Sequence, residues 1–522
     1  MSIFKTQKAK TIIVIAIFLA VWLWDVSFAY KYGESYLDTD MASEMILANE
    51  SNQDGVYLDS NWIYSSEIRI LGQVMLFKPL LLFFPNNWGL ARVVAQAIFL
   101  LATGASYIYL TSVLCNFRRS VFFAAILLCP FSYWHLWHDC FDGFYLIWII
   151  FYSLLAGVIL RLAIKEKKGI GFRIAFAVLL SFVCGIQSIR VFYNILLPVI
   201  LASIILLFLS YKKKKGCPDK VFIKFFVTAV SSTVVATIGY AINSLVLSQR
   251  YSYGEYNGTQ WQELSFDRIF TVLENLLEVL GYPFCFPAFP VLYVFSNKGM
   301  ITCFSVLMMG IFVFSFIFVI KRLKVTDSPK LLLGTLGLMA ALVPVMVFSF
   351  LNVNDNGSYF LPAMGLLVAL LQISFDEFNY TNQKETIIAH AALLGVAILC
   401  GLNTRTIFLQ NPYRSNPAQV EMAAALKEQG YTQAIATYWN GNVVTELTDG
   451  QVEVWSSGDY DTTISHYGLQ KKQHIDQMPE GRYAYIYPTF EYLNSYHTKW
   501  DDSDNACVVY QDDVYTVIGV EE

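Results

Sequence analysis

The feature that most restricts this chain is a recurring one: stretches of about twenty residues with almost no charge return from Thr11 to Asn403. A hydrocarbon layer ~30 Å thick is crossed by a helix of about 20 residues, and only helices or closed barrels satisfy their own backbone inside it. Spans are predicted near 11–29, 88–114, 121–137, 144–164, 174–190, 195–210, 222–247, 301–320, 331–350, 359–375 and 386–403. Composition agrees: 56% of the 522 residues are hydrophobic and 15% charged, with a mean hydropathy of +0.48. No ordinary soluble globule has that profile. The first window is long, ends in Trp22, Trp24 and Phe28, and lacks a small-residue cleavage pattern, so it reads as a retained helix and not a signal peptide.

Short loops rich in Lys and Arg stay in the cytoplasm. Lys5, Lys8 and Lys10 therefore place the N-terminus inside, and Arg118 with Arg119, Lys165 to Lys168 with Arg173, Lys212 to Lys215, Lys321 to Lys324, and Lys384 all fall on that side. About eleven spans leave the C-terminus outside. Two apolar stretches are not counted. Ile68 to Phe84 carries Lys78 and Pro79 and suits a helix lying along the outer interface. Phe266 to Phe295 begins as an amphipathic helix and then meets Pro283, Pro287 and Pro290, and backbone broken in this way survives at membrane depth only when buried or lining a cavity. The expected organisation is an α-helical polytopic membrane domain over 1–403, with external loops at 30–87 and 248–300, followed by a small external α/β domain over 404–522.

That tail carries 7 Lys or Arg against 17 Asp or Glu, so the chain's net charge of −4 divides into −10 for the tail and +6 for the rest. In "NPAQVEMAAALKEQG", Pro417 suits a first helical turn and Gly430 a stop. The runs "QVEVW", "YAYIY", "ACVVY" and "VYTVI" read as strands. Trp439, Trp455 and Trp500 are expected in the small core of this domain, with stacking on sugar rings as the other reading. Nine scattered cysteines form no disulfide framework or CxxC metal spacing, and no Walker loop, GxGxxG fingerprint or HExxH is present. Neither nucleotide nor nucleic acid is expected as a partner.

Four external clusters carry chemistry. "YLDTDMASEM" follows the first span; if Met41 to Asn49 is helical, Asp40 caps it and Glu44 lies one turn on, on the same face. The same loop holds Trp62, Tyr64, Glu67 and Arg69, groups of the kind that line a polar cleft. "WHLWHDCFDGFY" offers His138, Asp139 and Asp142, donor types that suit a divalent metal ion, or else a wet turn opening the next helix. Arg190 near the end of the fifth span, and Arg92 at the start of the second, either face a polar site or snorkel to the interface. Asp355 and Tyr359 occupy the turn "NVNDNGSYFLPA". All four clusters face one compartment, which points to one outward-facing site.

With "YLDTDMASE" followed by "NWIYSSEIRILGQ" in the first loop and "SYFLPA" late in the membrane domain, the chain resembles the GT-C superfamily of membrane glycosyltransferases, in particular the protein mannosyltransferase and lipopolysaccharide sugar transferase branch. Ser358 stands where such proteins often carry Arg, and Arg190 is the candidate substitute. The resemblance implies transfer of a sugar from a polyprenyl-phosphate carrier to a glycan, lipid or protein acceptor at the outer face of the cell membrane. Asp40 would be the base that takes the acceptor proton, with Asp38 as the alternative. Arg190, Arg92 or Arg69 would stabilise the departing phosphate, while Glu44, His138 and Asp139 would orient the acceptor or hold a divalent ion. The rival readings are a lipid-linked oligosaccharide flippase or solute transporter, which would set its polar groups near the bilayer midplane, and an inactive scaffold presenting the acidic tail.

Overall fold

The computed structural model describes residues 7–65, 68–164, 169–213, 218–253, 260–281, 297–323, 329–351, 356–410, 416–458, 469–500, 503 and 505–521. In chain order its helices are α1 (Gln7–Tyr32), α2 (Thr39–Gln53), α3 (Val74–Phe83), α4 (Trp88–Thr111), α5 (Phe117–Leu127), α6 (Tyr133–Trp137), α7 (Phe144–Ile164), α8 (Ile170–Gln187) and α9 (Leu197–Lys213). They continue with α10 (Lys220–Leu245), α11 (Phe266–Val279), α12 (Asn297–Leu323), α13 (Lys330–Phe350), α14 (Met364–Glu377), α15 (Gln383–Leu409), α16 (Pro417–Glu428) and α17 (Tyr438–Leu447). The strands are β1 (Trp62–Tyr64), β2 (Ser252–Tyr253), β3 (Gln433–Thr437), β4 (Glu453–Ser457), β5 (Gln470–Lys471), β6 (Arg482–Pro488), β7 (Ala506–Gln511) and β8 (Tyr515–Glu521). These elements form two compact units.

The membrane unit comprises Met1–Asp25, Ala97–Ile242 and Thr259–Gln410. Among the described residues of the whole chain, ten helical segments are long and apolar enough to cross a bilayer. Large apolar side chains such as Phe172 on α8 and Val234 on α10 stand exposed at 77% and 57%, a condition that suits lipid and not water. The segment Gly357–Glu377 is instead buried almost throughout and lies at the centre of the unit with α13 and α7. Glycine permits close helix contact at one point: a Cβ on Gly185 of α8 would overlap the Ala236 backbone of α10. Polar pairs such as Tyr107 Oη to Gln372 Oε1, 2.8 Å, tie helices together where water is absent.

The third predicted span differs from its expectation. Residues 121–137 are not one helix: α5 stops at Leu127, the chain turns through Pro130, and Ser132 re-caps α6 by accepting from the His135 amide at 3.3 Å. Proline has no N–H to continue the ladder, so a continuous apolar run becomes two short helices. A π-turn over His138–Asp142 follows, closed by Gly143 at φ +69°. The fifth span likewise ends at Gln187, three residues short of Arg190. The interfacial helix expected from Ile68 starts at Val74 and runs ten residues through Pro79, too short to cross. The amphipathic α11 forms as expected, while Pro283, Pro287 and Pro290 lie outside the described residues.

The second unit comprises Val26–Gln96, Asn243–Gly258 and Asn411–Glu522, so the tail shares its compact body with the first loop. Asn416 caps α16 by accepting from the Gln419 amide at 3.1 Å, Pro417 opens it, and Gly430 beyond it adopts φ +74°. Five strands form one sheet in the order β4-β3-β6-β8-β7, parallel on the β4-β3-β6 side and antiparallel through β8 to β7. A second sheet, β2-β1-β5, is assembled from three distant stretches of chain. Trp455 is buried as expected, but Trp439 is 62% exposed and lies outside the core.

Candidate active site

Two acids two residues apart both suit a helix cap, and the structure chooses the first. Asp38 is extended and its Oδ1 accepts from the Met41 amide at 2.9 Å, so Asp38 and not Asp40 caps α2. This frees Asp40 from the cap role. It sits in the first turn, where the helix dipole favours a negative charge. Its carboxylate is exposed and accepts a 2.6 Å hydrogen bond from the Tyr438 hydroxyl at the start of α17. Thr39 Oγ1 donates to the Tyr438 carbonyl at 2.9 Å, fixing the same junction.

The other candidates in this unit have structural partners. Glu44 pairs with Arg69 at 3.4 Å. Arg92 is 4% exposed; its Nε and Nη2 grip the two carboxylate oxygens of Glu446 at 2.7 and 2.6 Å, and Nη2 also donates to the Met41 carbonyl at 2.9 Å. Burial pushes the Glu446 carboxyl above its usual range, and the two bonds from Arg92 oppose that push. Trp88, at the start of α4, donates its amide to Asp449 Oδ1 at 2.9 Å. These bonds lash α2, α4 and α17 together. Tyr64 is buried, accepting from the Asp59 amide at 3.0 Å and donating to the Asp59 carbonyl at 3.1 Å, and burial raises its phenol above the usual value. Glu67 lies outside the described residues, as does Asp355 of the other unit.

In the membrane unit three of the predicted clusters meet. The π-turn brings His138 Nδ1 against Asp142 Oδ2 in a close pair, and the His138 ring meets Tyr145 edge-on at 4.5 Å. Arg190 Nη1 donates to the Tyr145 hydroxyl at 3.1 Å, with the guanidinium over the rings of Phe144 at 5.6 Å and Tyr359 at 5.4 Å. Asp142, His138, Arg190 and Tyr359 therefore form one group around Tyr145. Gly357, just before Tyr359, packs so tightly that a Cβ there would lie 2.9 Å from Val279 and 3.2 Å from the Glu278 carboxylate.

Asp139 does not join His138. It turns to His135, whose Nδ1 accepts from the Phe131 amide at 3.2 Å and whose Nε2 lies 3.1 Å from Asp139 Oδ2. The two residues proposed as metal ligands thus engage separate partners, and among the described residues no group of three or more His, Cys, Asp or Glu is arranged to hold a metal ion. A further buried pair joins Asp25 of α1 to Arg405 of α15, with the guanidinium 3.8 Å from the Trp24 ring centre. Asp25, Arg405, Tyr145, Tyr438 and Glu446 were all missed by sequence reasoning. Only Asp25 and Arg405 carried a usable signal, since an ionisable residue inside or at the end of an apolar span needs a partner.

No protein-family model matches the chain, and no curated protein matches it. Among solved structures, ArnT from Cupriavidus metallidurans bound to undecaprenyl phosphate superposes with a TM-score of 0.58 at 11% identity, over 98% of this chain and 98% of that one. The same protein in its apo state gives a TM-score of 0.57 at 12% identity, over 97% of each chain. The chain has the GT-C fold. The likeness covers nearly the whole of both chains, so this chain shares the fold of ArnT while sharing little sequence.

Proposed function

We propose that this chain is a glycosyltransferase that moves a sugar from a polyprenyl-phosphate donor to a cell-envelope acceptor on the outer face of the membrane. The observation that carries the reading is the full-length match to ArnT, whose solved form holds undecaprenyl phosphate. It is supported by an exposed carboxylate, Asp40, held at a helix start by Tyr438, and by the positive charge pattern that assigns the first loop and the tail to the external side.

In this mechanism the acceptor hydroxyl oxygen attacks the anomeric carbon and the bond from that carbon to the lipid phosphate oxygen breaks. Asp40 takes the hydroxyl proton as the new bond forms. The Tyr438 hydroxyl fixes the carboxylate rotamer, so the base is oriented before the acceptor arrives. The electron pair leaves with the phosphate, where negative charge grows, and Arg190 is the cation assigned to it, its guanidinium pre-positioned by Tyr145 and Tyr359. Asp142 and His138 hold the Tyr145 side of that group. Arg92 is assigned to the framework and not to the phosphate, because its fork already grips Glu446.

The test is Asp40→Asn in purified protein. Transfer should fall by about 10²-fold or more, the scale of a lost general base, with expression and folding unchanged. Normal transfer by that variant would remove Asp40 from the mechanism.

A further inference from the structure

The unit that contains the tail holds a partly open cavity of about 150 Å³ that shares no residue with the chemistry above. One face of α2 supplies part of its wall, since Asn49, Glu50 and Gln53 recur at helical spacing. The opposite wall carries a charged chain of contacts: Lys471 Nζ lies 3.0 Å from Glu50 and 2.7 Å from Glu453, and Glu453 in turn meets His474 Nε2 at 2.8 Å. The His474 ring is stacked on Trp455 with centroids 4.3 Å apart, which locks its orientation. Trp62, 1% exposed, completes the lining.

His474 Nδ1 and Trp62 Nε1, both buried and belonging to residues of this lining, have no hydrogen-bond partner among the described residues. Burial holds the His474 imidazole below its usual value, although the bond to Glu453 works against this, so the ring is neutral near pH 7. With Nε2–H given to Glu453, Nδ1 is an acceptor and Trp62 Nε1–H a donor. A hydroxyl is the group that satisfies both kinds of partner. The two carboxylates outnumber the one ammonium, so the wall is net negative and repels phosphate or carboxylate ligands. The volume is about five times the ~30 Å³ share of one water, and below the ~300 Å³ of drug-sized pockets. Indole rings beside carboxylates, an imidazole and amides suit the apolar face and polar rim of a sugar.

We infer that this cavity is a carbohydrate subsite that takes one uncharged sugar ring, separate from the reacting carboxylate. The inference stands apart from the transferase reading, because none of the lining residues is used there. It is tested on the full chain in detergent by saturation-transfer NMR with D-glucose, D-galactose and D-mannose, and with glucose 6-phosphate as the anionic probe. At least one neutral hexose should give a saturable signal that survives Asp40→Asn. Asn49→Trp, which fills the cavity from the half-buried face of α2, should abolish it. Glu50→Gln, a smaller change in case the tryptophan disturbs folding, should weaken it by about tenfold or more, the scale of a lost hydrogen bond to a charged group. The inference is overturned if no neutral hexose binds saturably, if binding is unchanged in both cavity variants, or if glucose 6-phosphate binds more tightly than every neutral hexose. Loss of transfer with retained hexose binding in Asp40→Asn would separate the two proposals.

Discussion

Replacing Arg92 with Met distinguishes a framework residue from a phosphate-binding one. The Arg92 and Glu446 side chains are 5% and 3% exposed, and three hydrogen bonds of 2.6 to 2.9 Å depend on the guanidinium. Removing one partner of such a pair strands a buried charge at a cost of about 3–5 kcal/mol. Removing both, as in Arg92→Met with Glu446→Leu, leaves an apolar contact instead of a stranded carboxylate, and stability should return to within about 1–2 kcal/mol of the parent. Limited proteolysis of the tail-containing unit reads the difference directly, because cleavage follows the population of the opened form. The single variant should be cut about 10²- to 10⁴-fold faster, and the double variant within about 30-fold of the parental rate. A single variant as resistant as the parent, or a double variant worse than the single, would show that the Arg92–Glu446 pair does not hold this unit together. Retained resistance with lost transfer would return Arg92 to the list of groups that touch the donor.

Arg190→Met should lower kcat by about 10²- to 10³-fold with little change in KM, as expected for a charge that matters most when the phosphate departs; steady-state kinetics with unchanged kcat would rule this role out. Tyr438→Phe removes the 2.6 Å bond to Asp40 and should lower kcat by roughly tenfold without loss of folding, measurable in the same assay. Burial opposes the charge on Glu453, but bonds from His474 and Lys471 hold its carboxyl down at about 2. A depressed folded value contributes stability that is complete above the unfolded value and lost as pH falls, here between about pH 5 and pH 2. Heat-unfolding profiles across that range should flatten in Glu453→Gln, and an unchanged profile would contradict the assignment.

Helices that must cross a fixed thickness of hydrocarbon announce themselves in sequence, which is why most spans match their predicted windows within a few residues. The broken segment at 121–137 was obscured because hydropathy stays high across Pro130, although the proline itself was visible. In the tail, "YAYIY", "ACVVY" and "VYTVI" alternate and were readable as β6, β7 and β8, whereas "QAIAT" is short and apolar with no period-2 signal, and it forms β3 inside the sheet. At the site, residue types were legible and partners were not. Asp38 and Asp40 have equal standing as caps, and only Tyr438, 398 positions away in sequence, distinguishes Asp40. Arg92 carries the same charge whether it meets a phosphate or Glu446, 354 positions on. His138 and Asp139 are adjacent in sequence, but successive side chains on a helical turn point apart, and each found its partner four residues along or back.

The central claim is that the lipid-phosphate donor is consumed through Asp40. Phosphorus NMR of a polyprenyl-phosphate-sugar incubated with purified protein and an envelope extract follows the phosphodiester directly. The parent chain should convert it to a phosphomonoester, with conversion lost in Asp40→Asn. A diester that persists with the parent protein across a panel of sugars, or that disappears equally fast with the variant, would contradict the claim.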